Sequence, residues 1–465
     1  MPSPPTDITR LPSTPVETSA TTGPTLSRRD LFALGGAVTA SVATAASAQE
    51  LPVSTREMWG WVRAQQVLDP GIVNLDTAAI GPGLRGAMGS EYRHQEQFNG
   101  DIATYQHTLL SSTNLGALLQ RLGVLLDCDR NELTITQGAA EALAIVAQGL
   151  DFSPGDEIIV TTHAHNTAIY PWLVRAQRHG WVIKQVTLPS PLMGTEQPLG
   201  IIASAITERT RAILVSHLQH TDGAILPVAQ ICAFAKQRNL ISIIDGAQAC
   251  GSIAVSVHDM GCDFYAASLH KWINAPHGLG LLYVRKEMLN RLWPHAADSN
   301  AGWNPISRFG QAMFDAGEGF DDVQRAAWPT TLQKLGGSVR FLGPRLRALQ
   351  SALDFRDQMG ADRIEARIRE LAIYARLRLQ PLSGVEILTP AMPGLWAGIL
   401  AFRPREGSAK ALAERLTRTD RIVVASVTHP AGSQTPAFES VRASFHIYNS
   451  HDDVERLVRG VQKYI

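Results

Sequence analysis

The run Phe264-Tyr-Ala-Ala-Ser-Leu-His-Lys-Trp272 closes an apolar, strand-like segment with Ser268, His270 and Lys271. A partly desolvated lysine there would have a lowered pKa and a neutral amine able to form a Schiff base with a carbonyl cofactor. Ser268 and His270 are donors of the kind that hold such a cofactor's phosphate. A solvated lysine after a strand is the commoner meaning of an isolated S-x-H-K string, because lysine is seldom buried. The meaning of Lys271 therefore depends on what other chemistry shares its end of the fold.

Three further runs carry such chemistry. Gln137-Gly138-Ala139-Ala140-Glu141 sets a glycine before a helix start, where first-turn amides bind phosphate, although any strand-to-helix turn has the same form. Thr162-His163-Ala164-His165-Asn166 offers imidazoles, which stack on a planar cofactor or simply face water. Asp245-Gly246-Ala247-Gln248 follows an apolar run over 240–244. A carboxylate at the mouth of a buried strand needs a cation; a protonated pyridine nitrogen would be one, and Gln248 could donate to an oxygen of the same ring. Capping of the next turn is the alternative for Asp245.

The elements that must position these runs alternate along the chain. Strand-like segments over 132–136, 157–161, 212–216, 241–245, 264–268 and 279–284 are separated by helical ones such as 140–150 and 228–238. That order predicts an α/β fold with a mostly parallel sheet covered by helices, and ligands of such sheets gather at the carboxyl ends of the strands. A long helix is expected over 344–359, with its proline in the first turn. A smaller α/β unit follows and ends in an amphipathic helix capped by Ser450-His-Asp-Asp453. The boundaries read as a leader over 1–48, an N-terminal segment over 49–90, a large cofactor domain over 91–335, and a connecting helix with a small C-terminal domain over 336–465.

The 465 residues are 45% hydrophobic and carry no formal net charge, which suits two or three well-buried domains. No basic stripe is present, so nucleic acid is not an expected partner and small-molecule chemistry is. Ser27-Arg28-Arg29-Asp30-Leu31-Phe32, an uncharged stretch over 33–48 and the small residues Ala46-Ser47-Ala48 together read as a twin-arginine export signal. The stretch is too weakly hydrophobic for a stable membrane span. The twin-arginine machinery would carry a folded chain, mature from near Gln49, to the periplasm. Residues 1–26, rich in Pro, Ser and Thr, are expected to be a disordered extension. Cys128, Cys232, Cys250 and Cys262 lack zinc-like spacing; buried free thiols are expected, while an oxidising compartment would allow one pair to bridge.

A phosphate turn, a stacking histidine, a carboxylate and a lysine at successive strand ends resemble the class V aminotransferase family of pyridoxal-phosphate enzymes. Leu269-His-Lys-Trp-Ile-Asn-Ala-Pro-His-Gly278 resembles its isopenicillin N epimerase-like branch, and the resemblance runs from Asn74-Leu-Asp-Thr-Ala-Ala-Ile-Gly-Pro82 to Val441-Arg-Ala-Ser-Phe-His-Ile-Tyr-Asn449. It implies the fold type I transferase architecture with a mostly parallel seven-stranded sheet, a homodimer, and pyridoxal 5'-phosphate as cofactor. By motif, it implies that Lys271 carries the cofactor, Asp245 pairs with the pyridine nitrogen, Gln248 meets the phenolic oxygen and His165 stacks on the ring. The amides of Ala139 and Ala140 and the side chains of Ser268 and His270 would hold the phosphate. Arg442 would hold a substrate α-carboxylate, a task suited to a bidentate guanidinium; a structural salt bridge is its other use. Gln219 or His220 takes the place of an asparagine found in some relatives, and Gly336-Gly337-Ser338 that of the phosphate contact made across the dimer.

Desulfurases of this family need a cysteine nucleophile in the C-terminal half. No cysteine here follows Cys262, so persulfide chemistry is not expected. What is expected is an exported enzyme that labilises a bond at Cα of an amino acid or a peptide-borne amino group, with Lys271 shuttling the proton. Aminotransferase-type chemistry leads. Because exported enzymes that the chain resembles tailor secreted peptides, a pyoverdine-type siderophore is the expected kind of substrate. An epimerase or β-lyase is the alternative. A binding protein without turnover is a further one, against which the intact Lys271, Asp245 and Arg442 stand.

Overall fold

The residues of 241–245 and 264–268 are buried throughout, and burial on both faces is what a central strand of a helix-covered sheet requires. A computed structural model of the protein describes residues 54–109, 112–295, 335, 342–429 and 438–465. The expected leader over 1–48 and Gly336-Gly337-Ser338 lie outside the described residues. The chemistry-bearing runs end strands of one seven-stranded sheet: β1 (Leu133–Thr136), β2 (Glu157–Thr161), β3 (Val182–Val186), β4 (Thr210–Ser216), β5 (Ile241–Asp245), β6 (Phe264–Ser268) and β7 (Gly280–Val284), in the order β1-β7-β6-β5-β4-β2-β3. β7 is antiparallel to both neighbours and the other pairs are parallel, the mostly parallel α/β sheet expected from the element order.

Side chains alternate between two apolar layers, because successive strand residues point to opposite faces. Ile213, Ile244 and Tyr265 belong to one layer, Leu214, Ile243 and Phe264 to the other. β3 was absent from the sequence expectation. It sits at the sheet edge, where only one neighbour pairs with it, and its exposed or half-exposed Val182, Lys184 and Gln185 break the apolar run that marks the inner strands. Three strand starts also moved. β4 begins two residues earlier than expected, β7 begins one later at Gly280, and Glu132 lies in the 3₁₀ turn Arg130–Glu132, where it closes a capping box with Asp129.

The helices used below are α1 (Arg85–Gly100), α2 (Ala139–Gly149), α3 (Asn166–His179), α4 (Val228–Gln237), α5 (Gly343–Met359), α6 (Ala361–Leu379) and α7 (His451–Tyr464). α5 carries Pro344 in its first turn and stops at Gly360, whose φ of 80° breaks the helical path. Ala348 and Ala352 of α5 pack with Leu84 and Ala87 at the start of α1. A second sheet, antiparallel throughout, contains β8 (Val385–Ile387), β9 (Ile399–Pro404), β10 (Ala425–His429) and β11 (Phe438–Ser444) in the order β10-β11-β9-β8. The cap of α7 forms as a reciprocal pair: the Asp453 amide donates to Ser450 Oγ at 3.2 Å and the Ser450 amide to Asp453 Oδ2 at 3.0 Å.

The segment before the large sheet is tied to the second one. Val73–Asn74 pairs with Ile422–Val423, and Asp76 bridges Ser444 at the end of β11. Residues 54–465 form one compact unit. All four cysteines are free thiols, three of them buried. No described helix is long and apolar enough to cross a membrane.

Candidate active site

Hydrogen-bond register decides which side chains meet. Ser216 pairs with Asp245 across β4 and β5, Asp245 with Ala266 across β5 and β6, and Gly280 stands between Thr136 and Ser268. The carboxyl ends of β1, β4, β5 and β6 therefore open side by side. The nine residues given catalytic, cofactor or substrate roles, Lys271, Asp245, His165, Gln248, Ala139, Ala140, Ser268, His270 and Arg442, all line one crevice of about 610 Å³, a size typical of small-molecule sites.

Lys271 and Asp245 form its charged centre. Burial pushes the Lys271 amine down to about 8, against the pull of Asp245 in the other direction. Burial likewise raises the Asp245 carboxyl above the ordinary aspartate value, opposed by the Ala247 amide, which donates to Oδ1 at 3.0 Å, and by the charge of Lys271. No ion pair reaches Asp245 among the described residues, so a buried carboxylate is left without the close cation it needs.

The phosphate turn is built tightly. Gly138 has a φ of 155°, a conformation open to glycine, and a side chain at Gly280 would run into the Gly138 backbone. α2 then starts at Ala139, directing first-turn amides at the crevice wall. The Ala139 amide already donates to Ser268 Oγ at 3.1 Å, which leaves the Ser268 hydroxyl proton to offer elsewhere. His270 Nδ1 donates to the Leu279 carbonyl at 3.2 Å, while burial lowers the imidazole pKa. A neutral His270 with that tautomer presents a lone pair at Nε2, so it can donate to a phosphate only as an imidazolium.

His165 caps α3: the Thr167 amide donates to its Nδ1 at 3.2 Å and the Thr167 hydroxyl lies 2.8 Å from the same atom. An accepting Nδ1 places the proton of the neutral ring on Nε2. Burial, aided by the charge of Lys271, lowers its pKa. The ring meets His220 edge-on with centroids 4.8 Å apart. Of the two candidates for the asparagine place, His220 lines the crevice and Gln219 is fully buried outside its lining. Gln248 is held at both ends of its amide, donating from Nε2 to Ala78 O at 2.8 Å and accepting at Oε1 from the Trp272 indole at 2.9 Å.

Arg442 is the residue whose surroundings differ most from expectation. It lines the crevice, yet Nη2 is 2.7 Å from Asp76 Oδ1, Nη1 donates to His220 O at 3.2 Å, and buried Nε has no hydrogen-bond partner among the described residues. The structural salt bridge is thus present. Asp76, which burial holds above the ordinary aspartate value despite Arg442, had no assigned role in the sequence reading. Its only signal was a lone acid in the apolar run Asn74-Leu-Asp-Thr-Ala-Ala. Trp272 was missed in the same way. The cysteines stay apart: none lines the crevice, and burial pushes the thiols of Cys128, Cys232 and Cys250 up to about 12.

What Asp245 lacks, a pyridinium nitrogen supplies, and the phosphate of the same cofactor suits the first turn of α2. The donor set fits pyridoxal 5'-phosphate, and the sheet order with its antiparallel β7 is that of fold type I enzymes using this cofactor. The model of the aminotransferase class-V family matches residues 91–304 and 337–457, and the chain belongs to that family. Isopenicillin N epimerase of Amycolatopsis lactamdurans is 29% identical over 410 residues, covering 87% of this chain and 98% of that protein. A probable cysteine desulfurase of Halalkalibacterium halodurans is 27% identical over 408 residues, covering 86% and 94%. Among solved structures, the cysteine desulfurase CsdA of Escherichia coli superposes with a TM-score of 0.69 at 23% identity, covering 87% of this chain and 98% of that one. The protein is therefore a pyridoxal-phosphate-dependent enzyme of class V.

Proposed function

We propose that the enzyme breaks the C–H bond at the α-carbon of an amino acid or a peptide-borne amino group and returns the proton with inverted configuration, as an epimerase. The observation that carries this reading is the company of Lys271: a proton-carrying amine and the imidazoles of His165 and His220 in a crevice that no cysteine lines. Near-full-length similarity to two isopenicillin N epimerases supports it, and displaces the aminotransferase-type chemistry expected first. The cofactor supplies an electron sink for the charge left at Cα. Asp245 would keep the ring nitrogen protonated, because a buried carboxylate favours its counter-cation. Lys271 Nζ would take the proton from one face of Cα, a task its lowered pKa suits, and an imidazole of His165 or His220 would deliver a proton to the opposite face, because return from the same amine would restore the original configuration. Arg442, braced by Asp76, orients an acidic or carbonyl group of the substrate. Gln248 would donate to the phenolic oxygen and His165 would cover the ring.

Export by the twin-arginine route belongs to the same proposal, supported by the motif over 27–32 and the small residues before Gln49, and a residue of a secreted peptide as substrate follows from export; action as a homodimer rests on the family resemblance. The deciding experiment incubates the holoenzyme in deuterated water with L-amino acids and exported peptides, with and without an added keto acid. Deuterium at Cα together with inverted stereochemistry is expected. Substrate-derived keto acid formed only when an amino acceptor is added would refute the epimerase reading in favour of transamination; released ammonia would establish elimination.

A further inference from the structure

We propose that Trp272 is a positioning residue that locks the Gln248 amide with its donor end toward the cofactor, an inference that rests on the reading of Gln248 as donor to the phenolic oxygen. The two partners of this amide are chemically one-way. An indole N–H can only donate and a backbone carbonyl can only accept. Trp272 Nε1 therefore requires Oε1 of Gln248, at 2.9 Å, and Ala78 O requires Nε2, at 2.8 Å. A flipped amide would set N–H against N–H and oxygen against oxygen, losing both bonds in a site where Gln248 is 4% exposed. One N–H of Nε2 remains unspent, and Gln248 lines the crevice.

Both partners are themselves held. Trp272 is 1% exposed, its carbonyl accepts from His446 Nε2 at 3.0 Å, and the His446 ring lies against the indole with centroids 5.7 Å apart. Any side chain at Gly398 would press on the indole at 2.8 Å, so the ring occupies space kept clear for it. At the other end, the Ala78 amide donates to Ser444 Oγ at 2.9 Å, which pins the peptide segment of the accepting carbonyl to β11. Without the indole donor, the amide keeps the Ala78 anchor alone and is free to swing about it, which draws the spare Nε2 hydrogen off the ring oxygen.

The reporter is the pKa of the Lys271–cofactor linkage, read from its absorption. A donor on the phenolic oxygen draws off negative charge that would otherwise favour the protonated linkage, so losing the donor raises that pKa. In the holoenzyme, Trp272→Phe should raise it by about 0.7 unit, the equivalent of one neutral hydrogen bond. Gln248→Leu should raise it at least as much, and the double variant no further than Gln248→Leu alone. Placing 3-benzothienylalanine at position 272, which keeps the ring shape and lacks the N–H, should repeat the Trp272→Phe shift if phenylalanine packs too poorly to fold. A shift in Gln248→Leu with none in either position-272 variant overturns the proposal. No shift in Gln248→Leu overturns the reading of Gln248 and the proposal with it, and additive shifts in the double variant show that Trp272 acts by another route.

Discussion

Replacing Lys271 by methionine should make the cofactor-stripped protein more stable. Methionine fills nearly the same volume, so the change isolates the charge. In the folded chain burial lowers the Lys271 pKa from 10.5 to about 8. At 1.36 kcal/mol for each pKa unit, that is about 3.4 kcal/mol against the protonated amine, and residual solvent contact at the crevice mouth reduces it to about 2 kcal/mol. The sign follows from proton binding. Below pH 8 the amine is protonated in both states, so the folded state carries the full penalty. Between about pH 8 and 10.5 the unfolded chain holds more protons at this group, so wild-type stability rises with pH and the gap to Lys271→Met closes. The assay is urea unfolding of both stripped proteins at pH 7 and pH 10.5. Equal stability at pH 7, or a gap that does not shrink with rising pH, would refute the claim that folding desolvates this amine. The same variant should lose the absorption band of lysine-bound cofactor.

Asp76→Ala should destabilise the fold by about 3 kcal/mol, because it leaves the Arg442 guanidinium buried without its carboxylate; in urea unfolding, Asp76→Leu combined with Arg442→Met should recover most of that loss. His270 donates to phosphate only when protonated, and burial lowers its pKa, so phosphate binding should weaken as pH rises. Titration of Lys271→Met with inorganic phosphate should show about tenfold tighter binding at pH 6 than at pH 8, and His270→Gln in that background should flatten the difference.

The strand ends were legible because central parallel strands are apolar runs, and a charged or hydroxyl residue that closes such a run is conspicuous. Asp245 after 241–244 and Lys271 after 264–267 announce themselves in this way, and their meeting follows from a fold rule that brings carboxyl ends together. β3 escaped because an edge strand has no need to be apolar. Local composition therefore determined the α/β sheet and marked Lys271, Asp245 and His165 as candidates, while the cofactor class came from the resemblance of those runs to the class V family.

Only the tertiary structure decided what those residues are bonded to. Arg442 meets Asp76 across 366 positions of sequence, and Ser268 meets the Ala139 amide across 129. Gln248 and Trp272 meet because Asp245 and Ser268 end neighbouring strands. Periodicity and composition report how deeply a residue is buried, but the partner of a buried polar group is fixed by sheet order, register and the docking of Val73–Asn74 beside β11. A chain of one sequence thus declares which groups need partners, and the packed structure assigns them.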